Sequence, residues 1–533
     1  MGRDKLSALP SEKIDAVIVG SGAAGSHFAA RLAQAGKRVA ILEAGPARPK
    51  DDLVSSMLWA RRLKGGGAPV LETGKGTVGN GFNVGRGVGG STMHHYAVWP
   101  RLHENDFRVK SLYGRSRDWP IAYADLQPCY DRVQEECGIS GDHLAETTRP
   151  PGAPYPMPPV PVSEQGRVVA QGFAAKGMKV SPIPLAVTSR SYKGRPPCIW
   201  DGWCDAGCPI GALANAQTIH LPQAEAAGAT IHPDTEVVRV LTSADGKRVT
   251  GVEAMTKDGE RVRVMADVVV VAAFTIQSPR LLLASATPQH PEGLANSSGT
   301  LGRFVTSHGA APIFGLHPKA TTPAFGAFGG QLLNQEHYDD KNAHASSGAF
   351  GSYQWMIANA LKPNGLLGIA PTRPDLRGPA LTKFMEQATE HMITMTGVTE
   401  DEALAENRIT LSPRKDALGV PLASVDYTPS KASLALWDAA IAEGLEVFRA
   451  AGTSEAWNGP RGPMHIMGGT VMGASADDSV TNSYGQTHDL PNLFVGGAGL
   501  FPTSGGVNPT FTVHALAARS SEYLVKNWDS VIG

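Results

Sequence analysis

Residues 14–43 constrain the fold of this chain more than any other stretch. Asp15 to Val19 is a short apolar run, and Gly20-Ser21-Gly22-Ala23-Ala24-Gly25 follows it. A helical pattern then runs to about Ala35, Gly36 closes it, and a second strand from Arg38 ends at Glu43. This is a complete β-α-β unit with a GxGxxG turn. Gly20 permits the tight turn, Gly22 lets backbone N–H groups meet a pyrophosphate, and Gly25 lets helix pack on strand. The start of the helix adds a favourable dipole. Glu43, 23 residues beyond Gly20, is placed to accept from ribose hydroxyls. The unit predicts a dinucleotide site without separating NAD from FAD.

At 533 residues the chain exceeds one ordinary domain, and two are expected. A net charge of -1 gives no electrostatic footprint for nucleic acid or an anionic membrane. No apolar run approaches the ~18 residues of a membrane span. Residues 1–13 have mixed charge and no apolar core, so no secretory signal is expected there. Further along, Thr235 to Val271 alternates like a meander, with turns at Asp245-Gly246 and Asp258-Gly259. Arg280 to Ser285 starts a helix, Ser430 to Ala451 is another, and Thr512 to Val525 closes the chain. Lys64 to Gly90 reads as irregular, and the proline-dense Pro150 to Pro161 as an extended connection.

Three later segments each set a hydrogen-bonding side chain among small residues. They are Asn83 to His95, with Gly85, Arg86, Gly89, Gly90, Ser91 and His94; Met464 to Gly473, with His465; and Gly505 to Thr510, with Asn508. The first resembles the flavin-contact motif of the glucose–methanol–choline (GMC) oxidoreductases. With Gly302-Arg303, Ser307-His308 and the other two segments, the chain is similar to that family along most of its length. The resemblance implies an α/β (α+β) fold: a Rossmann-like FAD-binding domain, discontinuous in sequence, with a β-sheet substrate-binding domain. The expected division is 1–110, 195–309 and 456–533 for the FAD domain, 310–455 for the substrate domain, and 111–194 as a connecting segment. FAD contacts are then expected from Gly20, Gly22, Ala23, Gly25, Glu43, Arg86, Gly89, Gly90, Ser91, His94, Val237, Ala498, Asn508 and Thr510. His94 occupies the position where some relatives bond FAD covalently; a histidine packed beside the flavin without a bond is the other reading. His94 departs from the apolar residue common there, and Phe274 to Pro279 matches the second family signature only loosely.

His465 and Asn508 match the family's catalytic positions, and their chemistry agrees. An alcohol O–H does not lose its proton unaided at pH 7, whereas a neutral imidazole can accept it. An Asn amide can hold the developing alkoxide without becoming charged. His95, His308, His488 and His514 read as ordinary structural histidines.

Cys198, Cys204 and Cys208 fall within eleven residues, spaced C-x5-C-x3-C before Pro209. Thiolates on such a loop can converge on iron. A zinc site would want a fourth ligand that no nearby histidine supplies, and three buried free thiols are the plain alternative. The spacing resembles one GMC branch, the catalytic subunits of bacterial glucose, gluconate and fructose dehydrogenases, which implies a [3Fe–4S] cluster on these three cysteines. Cys129 and Cys137, on a helical stretch, read as structural.

The expectation is an FAD-dependent dehydrogenase acting on a CH–OH group of a sugar, polyol or glycoside. Electrons would leave through the cluster to a partner such as a c-type cytochrome, and a small signal-bearing subunit is a possible second partner. The location is then periplasmic by co-export, or cytoplasmic. Two rivals stand: an oxidase producing hydrogen peroxide with a vestigial cysteine cluster, and a redox-silent lyase of the same family.

Overall fold

The computed structural model describes residues 8–362 and 365–533, so part of the expectation for residues 1–13 lies outside it. The β-α-β unit forms as strand Ile14–Val19, helix Ala23–Gln34 and strand Val39–Leu42. The strands join a seven-stranded sheet. Its parallel part runs Thr230–His232, Val39–Leu42, Ile14–Val19, Arg261–Val271 and Leu493–Val495. These strands are apolar without alternation because both faces are covered. Ala16, Ile18, Val268 and Val270 face one apolar cluster, and Val17, Val19, Val269 and Val271 face another. Period-two geometry makes that division.

The expected meander is present as Thr235–Thr242, Val249–Thr256 and Arg261–Val271. Its last strand serves two purposes. Arg261 to Met265 pair with the meander, and Ala266 to Val271 enter the parallel sheet beside Ile14–Val19. The other sequence-read helices are Gln277–Ala284, Lys431–Ala450 and Thr510–Lys526. The first begins three residues before Arg280, since Pro279 sits in the opening turn, where a proline needs no N–H partner. The 64–90 stretch is mostly irregular, with short elements at Leu71–Glu72 and Asn80–Asn83.

A second sheet has the order Glu455–Asn458, Thr306–Leu316, Met392–Thr399, Tyr353–Ile357, Leu332–Asn334 and Ser181–Pro182. Gly462–Met467 pairs beside the first half of Thr306–Leu316. Trp355, Ile313 and Ile393 on one face pack against Val169, Phe173, Leu436 and Phe448 from two helices. Leu333, Met356 and Val398 on the other face share a cluster with Cys204. The expected boundaries at 309/310 and 455/456 therefore fall inside a shared sheet: Thr306–Leu316 crosses the first, and the strands after 455 pair with it. Local sequence cannot show this, because sheet membership is decided by long-range pairing.

Gly25 tests the helix-on-strand packing. A Cβ there would stand 1.9 Å from the Gly20 carbonyl oxygen. Gly25→Ala should cost about 2 kcal/mol or more by overpacking. Gly36, at φ +77 with open space around it, should lose only about 1 kcal/mol on replacement by Ala. Equal melting temperatures for wild type and Gly25→Ala would contradict this packing.

Candidate active site

A long cavity runs between the two sheets. Gly20, Gly22, Ala23, Glu43, Arg86, Gly90, Ser91, His94, Val237, His465, Ala498, Asn508 and Thr510 all line it. Two expected contacts, Gly25 and Gly89, do not. Gly25 lies under the Gly20 carbonyl, and Gly89 supports the loop by donating its N–H to Ser21 Oγ at 2.9 Å.

The cavity has the donors an anionic dinucleotide needs. Helices Ala23–Gln34 and Thr510–Lys526 both start at its wall with no side-chain cap. Their first-turn N–H groups are open to a ligand, and both dipoles favour negative charge there. A Cβ on Gly22 would meet nothing of the protein nearer than Gly90 Cα at 4.0 Å. Glu43 is more than a ribose acceptor. Its Oε2 takes Ser21 Oγ and N at 2.7 and 3.1 Å, and its Oε1 takes Gly45 N and Gly87 N at 2.9 and 3.2 Å. It ties the two glycine-rich loops together, although burial pushes its carboxyl pKa up. His94 is buried, its Nε2 has no hydrogen-bond partner, and burial drives its pKa down to about 3. These residues fit FAD.

His465 sits at an irregularity in the pairing of Gly462–Met467 with Thr306–Leu316, at φ +57. An extra residue in one strand is left unpaired and re-aimed. Its N–H, freed from the ladder, donates to Asn83 Oδ1 at 2.9 Å. The hydrogen bonds around its ring define one tautomer. His308 Nε2 lies 2.7 Å from the Gly505 carbonyl, which can only accept, so that nitrogen carries the proton. Burial holds His308 down at about 4, so the ring is neutral and its Nδ1 is an acceptor. His465 Nδ1, 3.0 Å away, is therefore the donor. The lone pair of His465 is left on Nε2, 3.2 Å from Asn508 Nδ2. Gln354 Nε2 donates to Asn508 Oδ1 at 2.7 Å and turns the amide donor toward His465. Gln335 Nε2 donates in turn to Gln354 Oε1 at 3.2 Å. Burial, then His308, lowers the pKa of His465 well below its ordinary value.

His308 is buried with both ring nitrogens bonded, as a structural histidine would be, and one of those bonds goes to His465. Gln354 and Gln335 were missed; they lie in the 310–455 lobe, which has no local chemical signature. His95 is satisfied by Ala214 O and Ala97 N. His488 bonds Ser479 Oγ.

Cys198, Cys204 and Cys208 are free thiols in one apolar cluster with Leu213 and Met356. Trp200 N and Leu213 N donate to the sulfurs of Cys198 and Cys208 at 3.4 and 3.3 Å. Trp200 and Cys208 hold φ values of +60 and +56, a conformation that non-glycine residues adopt at a cost. Among the described residues, the three sulfurs do not gather within 4.8 Å of one another, which a single ion would require. Burial pushes the Cys198 thiol up to about 12 and raises the other two, so these sulfurs become thiolates only against a cation. Cys129 and Cys137 are buried on helix Tyr123–Cys137, and Arg195, ahead of the loop, donates to the Cys137 carbonyl.

A GMC oxidoreductase family model matches residues 14–310 and 403–517. The chain is 32% identical to 2-methyl-1,2-propanediol dehydrogenase of Mycolicibacterium austroafricanum, over 98% of this chain and 97% of the relative. It is 30% identical to the fructose dehydrogenase large subunit of Gluconobacter japonicus, over 99% of both. Its fold is similar to that of pyridoxine 4-oxidase from Mesorbium loti, with TM-score 0.65 and 19% identity over 96% of this chain and 99% of the other.

Gly22 provides a test of the cradle. Since its side-chain space is open within the protein, Gly22→Val should fold normally yet purify without flavin. Full flavin occupancy in that variant, measured from the visible spectrum, would move the pyrophosphate elsewhere.

Proposed function

This chain belongs to the GMC oxidoreductase family, and we propose that it is a dehydrogenase of a sugar, polyol or related alcohol that delivers electrons to a partner protein. The observation that carries the reading is the locked pair of His465 Nε2 and Asn508 Nδ2, 3.2 Å apart on the cavity wall. Asn508 Nδ2–H meets the His465 Nε2 lone pair directly, and a substrate hydroxyl would enter between them, giving its proton to Nε2 and accepting from Nδ2. His465 Nε2 takes the hydroxyl proton, and its own Nδ1–H stays on His308. The resulting positive charge is shared toward the His308 ring and the Gly505 carbonyl. Asn508 Nδ2–H holds the oxygen as it becomes negative, and Gln354 keeps that amide from flipping. Preorganised donors of this kind act without reorganising at the moment of reaction. FAD held by the Gly20–Gly25 turn, Ser91 and the start of helix Thr510–Lys526 would supply a hydride acceptor, and a [3Fe–4S] cluster held by Cys198, Cys204 and Cys208 would supply an electron exit. The partner is supported by one relative's description as a large subunit, and the alcohol class by that relative and the diol dehydrogenase.

His465→Ala should slow anaerobic flavin reduction by roughly 10²–10⁴-fold, the usual worth of a positioned base. Asn508→Ala should cost about 10²-fold, as loss of one donor. Protonation removes the base, and burial depresses the pKa of His465. Flavin reduction should thus hold steady through the ordinary histidine range and fall only at pH well below 6.5. A substrate that turns over without reducing flavin would establish the lyase chemistry.

Anaerobically purified protein should contain iron and inorganic sulfide. Cys204→Ser should lose both while substrate still reduces its flavin. Iron-free wild type that produces hydrogen peroxide would establish the oxidase reading.

A further inference from the structure

Behind the nucleotide-binding sheet, three histidines take no part in this chemistry. His27 lies on helix Ala23–Gln34, His220 opens helix His220–Ala226, and His514 lies on helix Thr510–Lys526. Their exposures are 0%, 1% and 2%. One ring nitrogen from each lies within 4.8 Å of the others. His27 and His220 are tilted at 55° with centroids 4.4 Å apart, and His220 and His514 are nearly parallel at 27° with centroids 5.6 Å apart. Among the described residues, neither ring nitrogen of His27 or His514, nor Nδ1 of His220, has a hydrogen-bond partner. Glu136 Oε2 pairs with His220 Nε2 at 3.6 Å, while its Oε1 takes the Arg31 guanidinium.

An apolar interface between three helices gains nothing from this arrangement. Each unsatisfied buried polar group costs about 1–3 kcal/mol, and an alanine or leucine would pack there without that loss. We propose that His27, His220 and His514 bind one divalent cation of the zinc class, with Glu136 as the outer partner that orients His220. The donors are nitrogen only, which suits zinc and its d-block neighbours rather than calcium or magnesium. A carboxylate beside the far nitrogen of a ligating histidine is the usual outer support of such sites. Zinc at about 2.1 Å from each nitrogen sets ligand nitrogens about 3.4 Å apart, so from separations within 4.8 Å no pair needs to close by more than about 1.4 Å. The nearby cations are already paired, Arg31 with Glu136 and Arg132 with Glu522. The ion would pin the helix that follows the GxGxxG turn to the two helices beside it.

The full chain, purified from zinc-replete medium and desalted, should keep about one zinc per molecule with an all-nitrogen/oxygen shell at about 2.0–2.1 Å in zinc-edge X-ray absorption. Cys204→Ser should keep that zinc; His220→Gln and His514→Gln should lose it. The absorption measurement needs only wild type, so it stands even where a histidine variant fails to fold. Wild type retaining less than roughly a tenth of an equivalent, a sulfur shell at about 2.3 Å, or full zinc in folded histidine variants would each overturn the site.

Discussion

Lys341 holds the active site together. Its ammonium is wholly buried and spends all three protons, on Asp106 Oδ1 at 2.7 Å, Glu400 Oε2 at 2.6 Å and Ser352 Oγ at 3.2 Å. Asp106 comes from the segment after the flavin-contact motif, and Ser352 and Glu400 from the second sheet and its edge. The same Asp106 accepts from Tyr338 Oη at 2.9 Å, and Tyr338 Oη accepts from Gly506 N at 2.8 Å. One buried charge thus couples both lobes to the loop that carries Asn508. Breaking such a cluster from one side leaves an uncompensated charge and typically costs about 3–5 kcal/mol. Two carboxylates for one ammonium make the cluster acidic, and burial raises the pKa of Glu400 accordingly.

A second set of bonds fastens the opposite wall. Asp401 accepts from Ser307 N at 2.9 Å and from Tyr427 Oη at 2.8 Å. This sets the strand on which His308 lies. The Gly505 carbonyl is then the meeting point, since it belongs to the loop anchored through Tyr338 and receives the His308 proton. The tautomer of His465 follows from how the two lobes are joined, not from His465 itself. Its left-handed backbone at a break in the pairing is the conformational cost of aiming one ring out of a sheet into the cavity.

The β-α-β unit was legible because its signals are local: turn, helix and strand follow one another within thirty residues, and their spacing is their geometry. His465 and Asn508 were legible because each stands alone as a polar group among glycines. His308 was visible as a residue but not as a partner, since 157 positions separate it from His465. Gln354 and Gln335 had no signal at all; a glutamine in a β-strand looks the same whether it faces solvent or orients a catalytic amide. The sheet built on Thr306–Leu316 takes strands from both sides of positions 309/310 and 455/456, a pairing that no local pattern shows.

By itself, then, the sequence determined the nucleotide-binding unit and the grouping of three cysteines on one loop. Each rests on spacing within a short stretch of backbone. Tertiary structure decided which nitrogen of His465 carries the lone pair, which amide atom of Asn508 faces it, and that His27, His220 and His514 meet. Those depend on hydrogen bonds and packing between segments one hundred or more residues apart, whose pairing is chosen by burial of the whole core rather than by any local pattern.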